Sequence, residues 1–208
     1  LAATFGLDAF EIDALLVCLA PEIDLRYERI YGYLQDDVTK KRPSVDLVLN
    51  LLCPSLEAKL AMRQRFAVGA PLLKNHLLFL FQDPAQPQPP LLSKYLKVDE
   101  RIVSYLLGAD ELDARLLPHA RHLAPQVRIE DLLLPKDLKQ RLVSLVRDHN
   151  LAQQGLILYF QGGYGVGKQT TAEALCRELG IGLLVVDGAR LPDAGDLAFE
   201  TAVRLTTR

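Results

Sequence analysis

The chain has 208 residues, of which 50% are hydrophobic and 24% are charged, and its formal net charge is −2. These values are ordinary for a globular protein of one or two domains, and they predict no global attraction to nucleic acid or to an anionic membrane. The apolar stretches are shorter than the roughly 20 residues that a bilayer-spanning helix needs. The first residues also lack the pattern of a signal peptide, so we expect a cytoplasmic protein.

The chain begins with Leu1 rather than Met and ends within a helical pattern at Arg208. We interpret it as a fragment of a longer protein. Its three cysteines, Cys18, Cys53 and Cys176, fit no metal-binding spacing, so no metal site is predicted.

Apolar residues recur at helical spacing through residues 1–70, which predicts a run of helices. Asp8 is a candidate N-cap for the first long helix, and Pro21 is predicted to end it. A second helix is expected around residues 25–34. A third opens at Pro43–Ser44, and a fourth restarts at Ser55 and ends near Gly69.

The pattern then changes to that of a β-hairpin. Residues 76–81 (HLLFLF) and 91–98 (LLSKYLKV) are strand candidates, and the proline-rich tip DPAQPQPP between them excludes a helix. Another short helix is expected over residues 99–107, ended by Gly108. Helices followed by a hairpin with a long tip are the layout of a winged-helix domain.

Residues 109–126 are predicted to be a linker, after which Ile129–Leu134 is expected to dock on a second domain. In this second domain, predicted helices and strands alternate along the sequence. We expect a helix from Pro135 to about Asn150, a strand at 156–160 (LILYF) buried on both faces of a parallel sheet, a helix at 167–179, a strand at 183–186 (LLVV) and a helix opening at Asp196. This order is the start of a doubly wound α/β fold.

Between the predicted strand and helix lies GGYGVGK, at residues 162–168, which matches the phosphate-loop pattern G-x-x-x-x-G-K. Glycines allow successive backbone N–H groups to turn inward around a phosphate, and the following helix directs its positive end at the same group. Lys168 would offset the charge of the β- and γ-phosphates. We therefore predict ATP as the ligand, held by Gly162, Gly163, Tyr164, Gly165, Val166, Gly167, Lys168, Gln169 and Thr170.

The residue after the lysine normally supplies a hydroxyl to Mg²⁺, and here it is Gln169. Thr170 lies one residue too far along the helix to replace it. We therefore expect weakened Mg²⁺ coordination. Asp187, at the end of the LLVV strand, is interpreted as a structural cap or a subunit contact. No catalytic residue is assigned, and this chain alone is not expected to turn over ATP.

Nucleic-acid binding by the usual winged-helix route is not favoured. The predicted third helix, SVDLVLNLLC, carries no Arg or Lys, and the wing tip carries no positive charge, whereas phosphate contacts require cations. An apolar helix and an uncharged wing are better suited to a protein partner.

The Gly162–Lys168 loop and the order of elements around it resemble the AAA+ ATPases. The segments FEIDALLVCLAPEIDLRYERIYGYLQDDVTKKRPSVDLVLNLL and VDERIVSYLLG resemble the winged-helix domain of a bacterial AAA+ subgroup associated with contractile injection systems. The resemblance implies ring-forming homo-oligomers, ATP hydrolysis by the complete protein and mechanical remodelling of a protein partner. Gln169 departs from the AAA+ pattern at the metal-ligand position.

The sequence thus predicts a mixed fold: a mostly α-helical winged-helix-like domain at 1–108, a linker at 109–126 and the first β-α-β-α portion of a P-loop domain at 127–208. The expected function is ATP binding within an AAA+ ATPase that remodels or assembles a protein complex. Two alternatives are a non-catalytic, nucleotide-gated interaction module and a winged-helix DNA-binding regulator.

Overall fold

The computed structural model describes residues 1–84, 86–151 and 156–190, together with Thr201, Val203 and Leu205. Leu1–Ala114 belongs to one compact unit, and a second lies within Arg115–Pro192. The helix predicted to open at Asp196 begins outside the described residues.

Helices followed by a hairpin make up the first unit, as predicted. Its elements are α1 (Ala2–Phe5), α2 (Ala9–Ile23), α3 (Arg26–Leu34), α4 (Val45–Leu52), α5 (Leu56–Met62), α6 (Pro71–Lys74), β1 (Leu78–Phe81), β2 (Tyr95–Val98) and α7 (Glu100–Leu106). The predicted third helix is therefore α4, the fourth helix of the chain. The predicted fourth helix is shorter than expected, because α5 passes into a 3-10 turn at Arg63–Phe66.

Helix α2 begins at a capping box. The Asp8 side chain accepts the Glu11 N–H at 2.8 Å, and Glu11 Oε2 accepts the Asp8 N–H at 3.0 Å, which satisfies two of the N–H groups that a helix start leaves unpaired. The prediction that Pro21 ends α2 is wrong, because the helix continues to Ile23.

Pro21 is tolerated because another group replaces its missing N–H. In a helix, the residue-21 N–H would pair with the carbonyl of Val17, four residues earlier. That carbonyl instead accepts the Tyr31 hydroxyl of α3 at 2.6 Å. The proline therefore leaves no orphaned acceptor, and the replacement bond joins α2 to α3.

The wing, which is the β1–β2 hairpin, is hydrogen-bonded to the start of α4. Strands β1 and β2 are antiparallel, with Leu78 opposite Val98 and Phe81 opposite Tyr95. The Leu96 N–H donates to Pro43 O at 2.8 Å, and the Val45 N–H donates to Lys94 O at 3.0 Å, so the chain before α4 forms a short third edge of the hairpin. Ser44 also caps α4 through its side chain, as expected for its position.

The core of the first unit collects the inward faces of these elements. Helix α2 contributes Ala14, Leu15, Cys18 and Leu19, and these pack with buried residues of α4 and the wing: Val45, Val48, Leu49, Leu78, Leu96 and Val98. Phe66 and Leu72 close the core on the side of α5 and α6.

The second unit has a different composition of elements. It contains β3 (Ala120–Leu123), α8 (Lys136–Leu151), α9 (Lys168–Leu179) and β4 (Leu183–Val186), with 3-10 turns at Ile129–Asp131 and Gly188–Arg190. Ile129 and Leu132 are buried with Val146, Ala174 and Leu175, which confirms that this segment docks on the second unit.

Two sheet predictions for this unit are wrong. Strand β4 forms where predicted, but it pairs antiparallel with β3, which lies inside the predicted linker. Residues 156–160 form no strand, since no described residues supply hydrogen bonds for a ladder. Leu158 packs on the core of the unit, whereas Ile157 and Tyr159 are 96% and 86% exposed, so the segment is not buried on both faces. The β-α-β order thus lacks its first strand, although the helix predicted over 167–179 is present as α9.

In the part of the chain that the structure describes, no helix combines the length and the apolar character needed to cross a membrane.

Replacing Tyr31 by Phe is expected to lower the free energy of unfolding by about 1 kcal/mol, because the partly buried Val17 carbonyl would lose the Tyr31 hydroxyl as its donor. Burial raises the pKa of Tyr31 to about 12. The neutral phenol therefore stabilises the fold below the ordinary tyrosine pKa of about 10, and this stabilisation is lost as pH rises from there through 12. Urea titrations of the full chain between pH 8 and 12, followed by circular dichroism, measure both effects. Tyr33→Phe is the matched control, since Tyr33 is exposed; equal effects of the two changes would contradict the prediction.

Candidate functional site

The predicted phosphate loop runs from the extended segment into α9. Gly165 and Gly167 have φ angles of +81° and +86°, which side chains with a Cβ adopt only with strain. A Cβ added at Gly163, Gly165 or Gly167 would meet no atom within 4 Å. Gly165 and Gly167 are therefore required by the backbone conformation, and the space beside all three glycines is open.

Lys168 is the first residue of α9 and folds back over this loop. Its Nζ donates to the carbonyls of Gly162 at 2.7 Å and Gly163 at 2.9 Å. The N-cap residue of the helix is Gly167, which has no side chain to cap the first N–H groups. The ammonium group and the positive end of a 12-residue helix thus meet at one place.

The outer part of the loop is accessible. Tyr164 is fully exposed and Val166 is 61% exposed. Neither side chain packs in the core of the second unit. The loop is instead supported by α9, the helix that follows it.

Thr171 provides that support, although the phosphate-loop pattern assigns it no role. Its hydroxyl donates to the Gly167 carbonyl at 2.8 Å, and the same carbonyl accepts the Thr171 N–H at 2.8 Å. Thr171 is buried, whereas Thr170, which was predicted to be a ligand, is exposed. The i to i−4 spacing of Thr171 and Gly167 was the signal that could have identified this contact.

Gln169 lies in the first turn of α9 and lines an open cavity of about 490 Å³. The other polar residues of this cavity are His119, Arg121 and Asp187, which lie together at one end of the β3–β4 pair. The side chains that line this cavity thus present an amide, an imidazole, a guanidinium and a carboxylate. Among the described residues, no three His, Cys, Asp or Glu side chains converge as metal ligands would.

Asp187 acts as a structural cap, one of the two roles predicted for it. Its Oδ1 accepts the Ala189 N–H at 3.1 Å, and its own N–H donates to His119 O at 2.8 Å. These bonds end β4 and start the following turn.

Helix α9 is also fixed to the segment that leads into α8. Glu173 Oε1 accepts the N–H groups of Gln126 and Val127 at 2.9 and 3.3 Å, and Arg177 donates to the Gln126 carbonyl. Arg147 of α8 pairs with Glu178 at 2.8 Å. The helix that presents Lys168 is thus held at several points along its length.

In the first unit, helix α5 exposes apolar side chains beside the acidic Glu57. α4 itself buries Val45, Leu47, Val48 and Leu49. Leu56 and Leu60 of α5 are 71% and 65% exposed, and the α5 lysine, Lys59, donates to Asn50 Oδ1. Helix α5 thus exposes two leucines, and the exposed Arg63 follows it directly in the 3-10 turn.

The first unit has a winged-helix architecture. It consists of helices, two of which are joined by a short turn, followed by a hairpin to which the chain before α4 adds a short third edge. The sequence matches the family described as "Winged helix domain, variant" over residues 1–120, which is more than half of the chain. The chain belongs to this family. Neither the curated proteins nor the solved structures contain a significant match.

We expect Thr171→Val to loosen the loop, because the Gly167 carbonyl would lose its hydroxyl donor while the buried volume is kept. The predicted loss is about 1 kcal/mol of local stability. Amide hydrogen exchange of residues 162–168 measures this effect, and faster exchange is the expected outcome. Thr170→Val, at an exposed position of the same helix, should leave the exchange rates unchanged. Equal rates in both variants and the unchanged chain would rule out the supporting role.

Proposed function

We propose that this protein binds the phosphate groups of ATP through Gly162–Lys168. The observation that carries the proposal is the position of Lys168 Nζ, 2.7 Å from the Gly162 carbonyl, across a glycine loop at the start of α9. A cation, uncapped helix N–H groups and glycine backbone converge on open space. This combination favours an anion with several oxygens.

The residues present fit a polyphosphate. The loop backbone and the first N–H groups of α9 would hold the β-phosphate, with Gly165 and Gly167 in the conformations that permit its approach. Lys168 would exchange its two carbonyl partners for oxygens of the β- and γ-phosphates. Tyr164 and Val166 would border the site.

Magnesium would be held weakly. Gln169 offers one amide oxygen, and Thr171 uses its hydroxyl on the Gly167 carbonyl. We propose that ATP affinity comes mainly from the loop and Lys168, with a small metal contribution.

The wider role that we propose rests on the resemblance of the loop and of residues 1–108 to bacterial AAA+ proteins. In the complete protein, ATP hydrolysis within a homo-oligomeric ring would drive remodelling or assembly of a protein complex in the cytoplasm, of the kind found with contractile injection systems. A nucleotide-gated interaction module without hydrolysis is the alternative; turnover of ATP by the longest available form of the protein separates the two.

Lys168→Ala should weaken ATP binding by at least about tenfold, because a charge-assisted contact to phosphate is lost. Titration of a fluorescent ATP analogue into the full chain measures this change. Lys136→Ala is the matched control, since Lys136 is exposed at the start of α8. The proposal fails if the chain does not bind ATP, or if the two alanine variants bind it equally well.

The winged-helix unit is proposed to bind protein rather than DNA. Leu56 and Leu60 form an exposed apolar strip on α5. In the basic run before α4, Lys40 lies 4.0 Å from Asp37 and Lys41 lies 3.6 Å from Glu28, so acidic neighbours offset two of its three cations. Little positive charge is left to displace counterions from a phosphate backbone.

Accordingly, the full chain should not shift duplex DNA in an electrophoretic assay at 50 mM salt and micromolar protein. A shift that disappears at 200 mM salt would identify the phosphate contacts of a DNA-binding regulator and would reject this assignment.

A further inference from the structure

One face of the β3–β4 ladder forms a wall of the cavity of about 490 Å³ that Gln169 lines. Arg121 of β3 lies opposite Val185 of β4. Two residues further along, the Asp187 N–H donates to His119 O at 2.8 Å. Because alternate residues of a strand lie on the same side of a sheet, these four residues share one face of the ladder, and all four line the cavity.

The cavity adjoins the phosphate loop. Gln169 directly follows Lys168, so their two Cα atoms lie about 3.8 Å apart. In a phosphate loop, the residue after the lysine faces the metal ion that bridges the β- and γ-phosphates. The cavity that Gln169 lines therefore lies on the side of the loop where the terminal phosphate of a bound triphosphate would be.

Arg121 is the arginine of this cavity. It is exposed and makes no ion pair among the described residues, whereas Arg128 and Arg147 of the same unit each pair with a carboxylate. A guanidinium presents its N–H donors in a planar fork that can bind two phosphate oxygens at once. A cavity of about 490 Å³ is about 10 Å across, so an arginine in one wall can reach a phosphate held near another.

Asp187 is the group that opposes a phosphate in this cavity. Its Oδ1 accepts the Ala189 N–H at 3.1 Å, so the carboxylate is held at the end of β4. A terminal phosphate in the cavity would be attracted by Arg121 and repelled by Asp187. Removal of these two charges should therefore change the affinity for a triphosphate in opposite directions.

We propose that Arg121 binds the terminal phosphate of ATP and so lets this site distinguish a nucleoside triphosphate from a diphosphate. The inference rests on the proposed binding of ATP at Gly162–Lys168. Because Gln169 makes magnesium a weak partner of this site, the guanidinium supplies positive charge that the metal would otherwise bring to the same phosphate. The preference for ATP over ADP should therefore persist without magnesium.

Calorimetric titration of the full chain with ATP and with ADP, in EDTA and without magnesium, tests the proposal. The unchanged chain should bind ATP at least about tenfold more tightly than ADP, and Arg121→Gln should lower the ATP affinity about tenfold while leaving the ADP affinity unchanged. Arg141→Gln is the matched control, since Arg141 is exposed on α8 and does not line the cavity.

Equal losses for ATP and ADP in Arg121→Gln, or no loss for ATP, would overturn the proposal. Binding of neither nucleotide by the unchanged chain would instead refute the proposed function itself, and this inference with it.

Asp187→Asn tests the same placement with the opposite sign. Asparagine keeps an oxygen for the Ala189 N–H but removes the charge, so the affinity for ATP should rise about threefold or more, and by more than the affinity for ADP. An affinity for ATP that this change lowers or leaves as it was would place the terminal phosphate outside the cavity and reject the role of Arg121.

Discussion

The first unit depends on burying one face of α2. Its apolar residues at 14, 15, 18 and 19 must leave water, and they do so against α4 and the second strand of the wing. The wing can lie there because the Pro43 carbonyl and the Val45 N–H bind it at the start of α4. A capping box fixes where α2 begins, and the Tyr31–Val17 bond lets it run past a proline. The helix order and the wing position are consequences of this single buried face.

Local patterns predicted much of this arrangement. Helical spacing and the Asp8 and Ser44 caps located α2 and α4, and the proline-rich tip located the hairpin. Pro21 was misjudged because its effect depends on Tyr31, a residue ten positions later in another helix. β3 was missed because it has four residues in a segment rich in proline, and its partner lies about 60 residues further along the chain. An apolar run such as LILYF predicts an extended backbone but carries no information about which neighbour, if any, pairs with it.

Of the candidate site, too, only part could be predicted from the sequence. Glycine and lysine spacing identified the loop, and the structure places the glycines and Lys168 together at the start of α9, although the described residues before the loop form no strand. The support from Thr171 follows from one turn of helix geometry and could have been predicted from the sequence. The surroundings of Gln169 could not be predicted from the sequence, because the pairing of β3 with β4 brings Arg121 and Asp187 there. Which groups share a cavity is a property of tertiary packing, which periodicity does not encode.

The extended segment at 156–160 has a practical consequence. Its alternate side chains, Ile157 and Tyr159, point outward, and its backbone has no ladder partner among the described residues. From His149 to Gly167 the sequence contains no Lys, Arg, Asp or Glu, so no charged gatekeeper interrupts it. Such a stretch is a template for cross-β pairing between chains. A charged residue in place of the exposed Ile157 would supply the missing gatekeeper in this stretch.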